Sequence, residues 1–398
     1  MKQYDFETVE PRYDICAGKW SEIEQYFPDR PEDIIPFSVA DMEFPIAPEI
    51  SEGLKDYIDK YPLGYANVTP EFNEAVQSWI NKRHQWEIET DWIVPVRGVI
   101  PGFKLAIQSY TEENEGVILM SPVYYPMYSA IEGNNRKIAH CPLINNQTQY
   151  DIDFELLETL AKDENNTMLL FCSPHNPGGR VWSREELEKI AKICIENDVI
   201  VCSDEVHFDL TAPGVEHHMF ASLSDEVANN TVIFTAPSKS FNIAGLEPAY
   251  AIIPNEKLRN KFIESNLKVF NSNRIVSLGF EATRIAYTEG DAWLDQVKEL
   301  VDRNHKLIVE YFEKEIPQIK CMDLQGTYLL WMDFSGLGIE DEVLNPILKK
   351  EAKLFFDDGL MFGEDGRGYQ RWNLAAPTKY IKEGLERLKE TVDNHVNL

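Results

Sequence analysis

Positive charge is scarce in this sequence of 398 residues. Lys and Arg together number 38, against 67 Asp and Glu, which gives a formal net charge of −29 at pH 7. A nucleic-acid-binding surface needs clustered cations to displace the counterions of the phosphate backbone, and anionic membranes attract basic segments in the same way. The composition therefore argues against nucleic acids and membrane surfaces as partners. We interpret the acidity itself as a source of solubility.

Targeting and membrane-spanning segments are also missing from the sequence. The N-terminal MKQYDFETVE has no apolar core, and no run approaches about 18 consecutive apolar residues. We therefore expect neither a signal peptide nor a transmembrane helix. The six cysteines contain no CxxC pair, which predicts free thiols in a reducing cytoplasm, with Cys172 and Cys202 buried. They are Cys16, Cys141, Cys172, Cys194, Cys202 and Cys321.

Several well-known site motifs do not occur either. The chain has no GxGxxG fingerprint, P-loop, HExxH or GxSxG. The neighbouring His217 and His218 lack the spacing of metal ligands, so no metal site is predicted.

Short apolar runs alternate with helical patterns between about residues 90 and 255. The runs cover residues 117–120, 168–172, 199–203 and 232–235. Ser183 and Glu186 form a capping box, and apolar residues then recur at helical spacing. Such runs are typical of strands buried on both faces of a mainly parallel sheet, joined by right-handed βαβ crossovers. This part of the chain is predicted to be a large α/β unit.

The flanking regions have a different pattern. Helices are predicted at 47–60 and 70–84, the second with Thr69 as its N-cap and Pro70 as its first residue. A long helix is predicted at 290–316. It is followed by a small α+β unit with strands at 327–334 and 370–374, a helix near 343–353 and a last helix from Thr378. We therefore predict a large domain at 46–290 and a small domain made of 1–45 and 291–398.

Polar side chains follow three of the apolar runs. Asn176, Asp204 and Lys239 each come just after a predicted strand, and open α/β sheets bind ligands at the carboxyl ends of their strands. Each residue has a plain structural alternative: Asn176 can stabilise a turn, Asp204 can cap a helix, and Lys239 can be a solvated surface residue. Their occurrence together at one sheet edge is far more specific than any one of them.

An amine, a carboxylate and an amide are what pyridoxal 5′-phosphate (PLP) requires. The amine forms a Schiff base with the aldehyde, and the carboxylate keeps the pyridine nitrogen protonated. At this point the sequence resembles the fold-type I, class I/II aminotransferase superfamily. Its motifs are closer still to the MalY/PatB-type cystathionine β-lyases (C–S lyases). The motifs are SPHNPGGRVW (173–182), SKSFNIAGL (238–246), VADMEF (39–44), GY (64–65) and QRWNLAAP (370–377), and the resemblance extends from about residue 35 to 395.

The resemblance implies roles for the residues at the strand ends. Lys239 is expected to be the Schiff-base lysine, Asp204 to pair with the pyridine nitrogen, and Asn176 to contact the phenolic oxygen. His207 stands where relatives often place a tyrosine that shares this contact. A buried structural histidine is the equal alternative.

The resemblance also implies residues that hold the ring and the phosphate. Tyr124 is expected to stack on the cofactor ring, with Tyr125 as the neighbouring candidate and a core aromatic as the alternative. Gly98-Val99-Ile100 is expected to open a helix whose N–H groups hold the phosphate. Ser238 adds a hydroxyl, and Tyr65 resembles the tyrosine that relatives lend across a dimer interface. A homodimer is implied on the same ground.

Arg371 resembles the arginine that binds the substrate α-carboxylate in a bidentate fashion. A surface salt bridge is its alternative, and Asn373 is expected to support the strand. Two positions depart from the pattern of relatives. Glu247 stands where many aminotransferases have an arginine. Ser38 replaces a tryptophan of the lyase subgroup, and this replacement leaves the substrate preference open.

The resemblance to the lyase subgroup implies α,β-elimination on cystathionine or related cysteine S-conjugates, giving a thiol, pyruvate and ammonia. An aminotransferase shares every step up to proton abstraction and is the second interpretation. A catalytically idle member that binds a protein partner is the third, and the presence of Lys239, Asp204 and Arg371 argues against it.

Overall fold

Helices and strands alternate along most of the chain. The computed structural model describes residues 2–10, 12, 15, 17–29, 33–270 and 276–396 of the protein, so Cys16 lies outside the described residues. The α-helices in these ranges are α1 Gly18–Tyr26, α2 Pro48–Lys60, α3 Pro70–His84, α4 Val99–Tyr110, α5 Pro126–Glu132, α6 Phe154–Ala161, α7 Arg184–Glu196, α8 Asp225–Asn229, α9 Glu256–Phe270, α10 Ser277–Glu289, α11 Asp291–Glu315, α12 Asp341–Lys350 and α13 Thr378–Val396. The strands are β1 Ile35–Pro36, β2 Ile93–Arg97, β3 Gly116–Leu119, β4 Lys137–His140, β5 Ile144–Asn145, β6 Tyr150–Asp151, β7 Asn166–Cys172, β8 Ile200–Asp204, β9 Thr231–Thr235, β10 Pro248–Ile252, β11 Lys320–Cys321, β12 Leu329–Asp333, β13 Leu354–Phe355, β14 Asp357–Asp358 and β15 Tyr369–Asn373.

A seven-stranded sheet forms the centre of the larger unit. Its strand order is β2-β10-β9-β8-β7-β3-β4, and β10 is antiparallel to both of its neighbours while the pairs from β9 to β4 are parallel. The predicted α/β class with a mainly parallel sheet is confirmed. All four apolar runs of the sequence are strands of this sheet, displaced by no more than two residues at either end.

Helices cover both faces of the sheet. Along β7, Leu169 and Phe171 pack on the face that α7 covers, whereas Met168, Leu170 and Cys172 pack on the face that α4 covers. Burial on both faces explains why this strand is apolar at every position from Met168 to Cys172 and not at alternate ones. Cys172 and Cys202 are buried free thiols, as predicted.

The predicted helix signals are present in the structure. Thr69 accepts a hydrogen bond from the N–H of Phe72 and Pro70 is the first residue of α3. Both halves of the Ser183–Glu186 capping box form at the start of α7. Because these caps satisfy N–H groups that the helix leaves open, they define where α3 and α7 begin.

A second, four-stranded antiparallel sheet lies in the C-terminal region, in the order β11-β12-β15-β14. The N-terminal region joins this part of the molecule, since β1 pairs in parallel with β13. The domain division at 46 and 290 remains a prediction. Within the part of the chain that the structure describes, no helix combines the length and apolar character that crossing a membrane requires.

Candidate active site

A cavity of about 240 Å³ lies where β8 and β9 end and α4 begins. Seven of the eleven predicted site residues line it. They are Gly98, Val99, Ile100, Tyr124, Asp204, Ser238 and Lys239. The doubly wound sheet explains their meeting, because loops that follow parallel strands converge at one edge.

Lys239 lies in the loop between β9 and β10. Its Nζ donates a hydrogen bond of 2.7 Å to the backbone oxygen of Ala40. Burial lowers the pKa of Lys239 to about 8, the carboxylate of Asp41 works against that shift, and the positive charge of Arg371 adds to it. At pH 7 about one tenth of the amine is therefore uncharged, more than for an ordinary lysine, and nucleophilic and basic chemistry both require this form.

Asp204 is the last residue of β8, and its side chain is buried. Burial raises the pKa of Asp204 to about 7, and the neighbouring charge of Glu205 adds to the effect. The N–H of Val206 donates to Oδ1 at 3.2 Å and opposes the shift. A buried carboxylate of this kind is stabilised by a cationic or proton-donating partner in the cavity.

The first turn of α4 closes the other side of the cavity. Gly98 precedes it with φ +95° and ψ 153°, a conformation that residues with a Cβ rarely adopt. Gly98 is the N-cap and has no side chain that could cap this helix, so the N–H groups of Val99 and Ile100 have no partner within the helix. Together with the positive end of the helix dipole, they favour an anionic group in the cavity.

Arg371 and Asn176 lie in contact with each other. Nη1 of Arg371 donates to Oδ1 of Asn176 at 2.7 Å, and the guanidinium carbon lies 4.7 Å from the centre of the Phe362 ring. Arg371 is only 3% exposed, on β15 in the middle of the small sheet. The alternative of a surface salt bridge is therefore wrong for this arginine.

His207 is buried close to the same charges. Its pKa is lowered well below the usual value by burial and by the positive charges of Lys239 and Arg371, so the ring is neutral. Its Nδ1 has no hydrogen-bond partner among the described residues, and its ring meets Tyr328 edge-on at 5.9 Å. Both interpretations of His207, cofactor contact and structural histidine, stay open.

The predicted aromatic residues differ in their positions. The Tyr124 ring lies against the cavity and 5.3 Å from that of Tyr125, and burial raises the pKa of Tyr124. Tyr65 is 93% exposed, in the loop between α2 and α3, and does not line the cavity of its own chain.

The segment from Ser38 to Met42 lies over Lys239, whose Nζ contacts the backbone oxygen of Ala40. Asn373 donates from Nδ2 to the backbone oxygens of Val39 and Asp41, at 2.8 and 2.6 Å, and Tyr328 donates to that of Ala40 at 3.0 Å. Asn373 thus supports this segment as well as its own strand. Ser38 is buried, and its Oγ has no hydrogen-bond partner among the described residues.

Three charged residues of this region were missed by sequence reasoning. Arg97 ends β2 and lines the cavity beside Glu247, and the strand-end rule would have found it. Asp357 binds Arg371, and Glu205 is fully buried next to Asp204, with Oε2 2.8 Å from Nε2 of His217. Glu205 directly follows β8, so the strand-end rule applies to it as well, whereas no sequence signal distinguishes Asp357 from a surface carboxylate.

Comparisons with known proteins identify the family of this chain. The model of the family "aminotransferase class I and II" matches residues 32–388. Cystathionine β-lyase PatB of Bacillus subtilis is 36% identical over 97% of this chain and 99% of its own, and protein MalY of Escherichia coli is 33% identical over 97% and 98%. The crystal structure of cystalysin from Treponema denticola, which contains PLP, superposes with a TM-score of 0.96 at 42% identity and covers 99% of this chain and 100% of its own. The chain therefore belongs to the class I and II aminotransferase family.

Proposed function

We propose that this chain is a PLP-dependent C–S β-lyase. It cleaves the bond between the β-carbon and sulfur of cystathionine or a related cysteine S-conjugate, and releases a thiol, pyruvate and ammonia. The observation that carries the proposal is the single cavity in which the Lys239 amine, the Asp204 carboxylate and the first turn of α4 meet. The identity to two lyase relatives over almost the whole chain supports elimination as the reaction.

The residues of the cavity fit the cofactor group by group. When bound, PLP supplies an aldehyde that condenses with amines and a ring that withdraws electrons from the substrate α-carbon. Lys239 would hold the aldehyde carbon, Asp204 the ring nitrogen, and the amides of Val99 and Ile100 the phosphate. Tyr124 would stack on the ring, and Ser238 would add a hydroxyl to the phosphate site. Asn176 and His207 are the candidates for the phenolic oxygen.

Arg371 is proposed to bind the substrate α-carboxylate. Its guanidinium is a buried cation, and its planar N–H groups match the two oxygens of a carboxylate. A carboxylate held there would keep the α-carbon near Lys239, whose pKa responds to the charge of Arg371. Orientation of this kind lowers the entropic part of the barrier.

Lys239 is proposed to remove the α-proton. A lysine with a pKa of about 8 has an uncharged amine in a useful fraction at neutral pH, and general bases work best when their pKa is close to the working pH. The proton is held at Nζ, and the same group can return it to the leaving sulfur. The segment 38–42 lies over one side of this lysine, where the backbone oxygen of Ala40 accepts the hydrogen bond from Nζ.

A homodimer in the cytoplasm is the proposed state of the protein. Tyr65 is 93% exposed and does not line the cavity of its own chain, which suits a residue that reaches a phosphate in the partner subunit. We also propose the division into a domain at 46–290 and a second made of 1–45 and 291–398, supported by the pairing of β1 with β13. Light scattering of the purified protein tests the dimer, and a monomeric mass would contradict it.

The experiment that tests the reaction is incubation of the PLP-loaded protein with cystathionine. We expect pyruvate without any added keto acid, and loss of that activity in Lys239→Ala. The surface variant Lys192→Ala, on the exposed side of α7, is the matched control and should retain full activity. Turnover that depends on a keto-acid acceptor would instead show an aminotransferase, the second candidate. Absence of a PLP absorbance band in the wild-type protein would contradict both.

A further inference from the structure

Asp357 contacts the guanidinium of Arg371 along one edge. Its Oδ2 accepts hydrogen bonds from Nε at 3.1 Å and from Nη2 at 2.6 Å. Both side chains are buried, at 7% and 3% exposure, and the two residues face each other across the β14–β15 pair. The backbone register therefore fixes the carboxylate beside the guanidinium.

The contacts leave a defined part of Arg371 open. A guanidinium has five N–H donors. Asp357 takes two of them and Asn176 takes one from Nη1, so one donor remains on each terminal nitrogen. Donors on the two terminal nitrogens are the ones that bind both oxygens of one carboxylate at the end of a guanidinium.

The same carboxylate also holds the segment that covers Lys239. The N–H of Val39 lies 3.2 Å from Oδ1 and 3.1 Å from Oδ2 of Asp357. Val39 has φ +56°, which is unusual for a β-branched residue and persists only where contacts on both sides hold the backbone. Asp357 supplies the contact at its N–H, and Asn373 the one at its oxygen.

We infer that Asp357 is a positioning residue that presents the two open donors of Arg371 to the α-carboxylate of the substrate. The inference rests on the proposed binding of an amino acid at Arg371 and deepens it. It assigns to Asp357 the selectivity for amino acids over amines of the same shape. The oxygen at the guanidinium edge is the required feature, because it fixes the plane and rotation of the group.

Two ligands that differ only in the carboxylate provide the test. 2-Aminoisobutyrate has no α-hydrogen and no leaving group, so its binding stops before elimination, and isopropylamine is the same molecule without the carboxylate. Each is titrated into the PLP-loaded protein, and binding is followed through the cofactor absorbance. The result does not depend on lyase activity, so failure of the proposed reaction and failure of this inference are distinguishable.

Asp357→Asn and Asp357→Ala both remove the charge, but only the asparagine keeps an oxygen at the edge of the guanidinium. We expect Asp357→Ala to bind 2-aminoisobutyrate about tenfold more weakly than Asp357→Asn, which corresponds to the loss of hydrogen bonds to a charged group. Isopropylamine should bind equally to both variants and to the wild type. Asp358→Ala, the adjacent carboxylate, which bonds the N–H of Leu360, is the control and should leave both affinities unchanged.

Two results would overturn the inference. Equal affinity of the alanine and asparagine variants for 2-aminoisobutyrate would show that the oxygen has no positioning role. An equal loss of affinity for isopropylamine would show that Asp357 has only a structural role. Should Asp357→Ala fail to take up PLP, Asp357→Glu replaces it, because the longer side chain keeps the charge and displaces the oxygen, and the same selective loss is expected.

Discussion

Lys239 lies among charges of both signs, and burial together with these charges determines its pKa. Asp41 raises the pKa of Lys239, whereas burial and Arg371 lower it to about 8. Asp41 is itself tied to the buried Lys19 at 2.8 Å and to Arg12 at 3.1 Å. This ion-pair group fixes the position of the negative charge next to the lysine.

The uptake of PLP should therefore depend on pH in a defined direction. Only the uncharged amine of Lys239 condenses with an aldehyde, so the uptake rate of the cofactor-free protein is expected to rise as the pH increases through about 8. Asp41→Asn removes a charge that raises this pKa, so the rise should move to lower pH. Stopped-flow absorbance at a series of pH values measures the midpoint.

Asp358→Asn is the control for this experiment, since Asp358 is partly buried but is not among the groups that shift the pKa of Lys239. Its midpoint should match that of the wild type. A midpoint that stays in place or moves to higher pH in Asp41→Asn would contradict the assignment of the charge effect.

Sequence reasoning found the site residues that follow long apolar strands. Asn176, Asp204 and Lys239 were detectable because β7, β8 and β9 are buried on both faces and leave a clear apolar pattern. Asp357 was not detectable, because it lies in a two-residue strand whose partner is defined only by tertiary pairing. A carboxylate that positions another side chain cannot be recognised from a single sequence, because no local pattern distinguishes it from other carboxylates.

At the scale of elements, the start of α4 is the most constrained point of the cavity. The backbone at Gly98 has φ +95° and ψ 153°, and a Cβ there would also lie 3.4 Å from the Cδ of Pro101. We predict that Gly98→Ala lowers the free energy of unfolding by about 1–3 kcal/mol, because alanine is strained in this conformation. The affinity for PLP should fall as well, since the amides of the first turn move.

Urea denaturation and a PLP titration measure the two effects. Gly18→Ala is the matched control, because a Cβ at Gly18 meets no atom within 4 Å and its φ is not in the positive region. That variant should stay within about 0.5 kcal/mol of the wild type. If Gly98→Ala is destabilised but binds PLP with unchanged affinity, the start of α4 does not bind the phosphate, which would contradict this prediction.

The helices and strands that the sequence predicted are those with periodic or continuous apolar patterns. The long helix predicted at 290–316 is α11, Asp291–Glu315, and the predicted helix at 70–84 is α3. The antiparallel β10 was missed, because it follows β9 through the site loop without an intervening long helix and so escapes the βαβ pattern. Two-residue strands such as β1 and β13 have no local signal at all.

At the scale of the whole molecule, the negative net charge of the protein repels the anionic ligands that the site is proposed to bind. The formal net charge is −29, while PLP and the substrate carboxylate are both anions. We predict that the rate constant of PLP association rises when salt increases from about 0.01 M to about 0.1 M, where the Debye length shortens from about 30 to about 10 Å. Electrostatic steering of a favourable kind gives the opposite trend.

Pyridoxal, which lacks the phosphate, is the control, and its association should respond little to salt. A decrease of the PLP rate with salt would mean that Arg97 and the start of α4 outweigh the global field at the entrance of the cavity. Stopped-flow mixing at constant pH distinguishes the two trends.

The order of the site residues along the chain has a consequence for biosynthesis. Asn176, Asp204 and Lys239 leave the ribosome well before Asp357 and Arg371. During translation, the residues proposed to bind the cofactor are therefore synthesised before the residues proposed to bind the substrate carboxylate. The segment 38–42, which lies over Lys239, is synthesised before these residues. It is held by hydrogen bonds to Asn373 and Asp357, which are synthesised late. PLP that binds during translation would thus bind before the segment 38–42 is anchored over Lys239. Anchoring of this segment would follow only when synthesis of the chain is nearly complete.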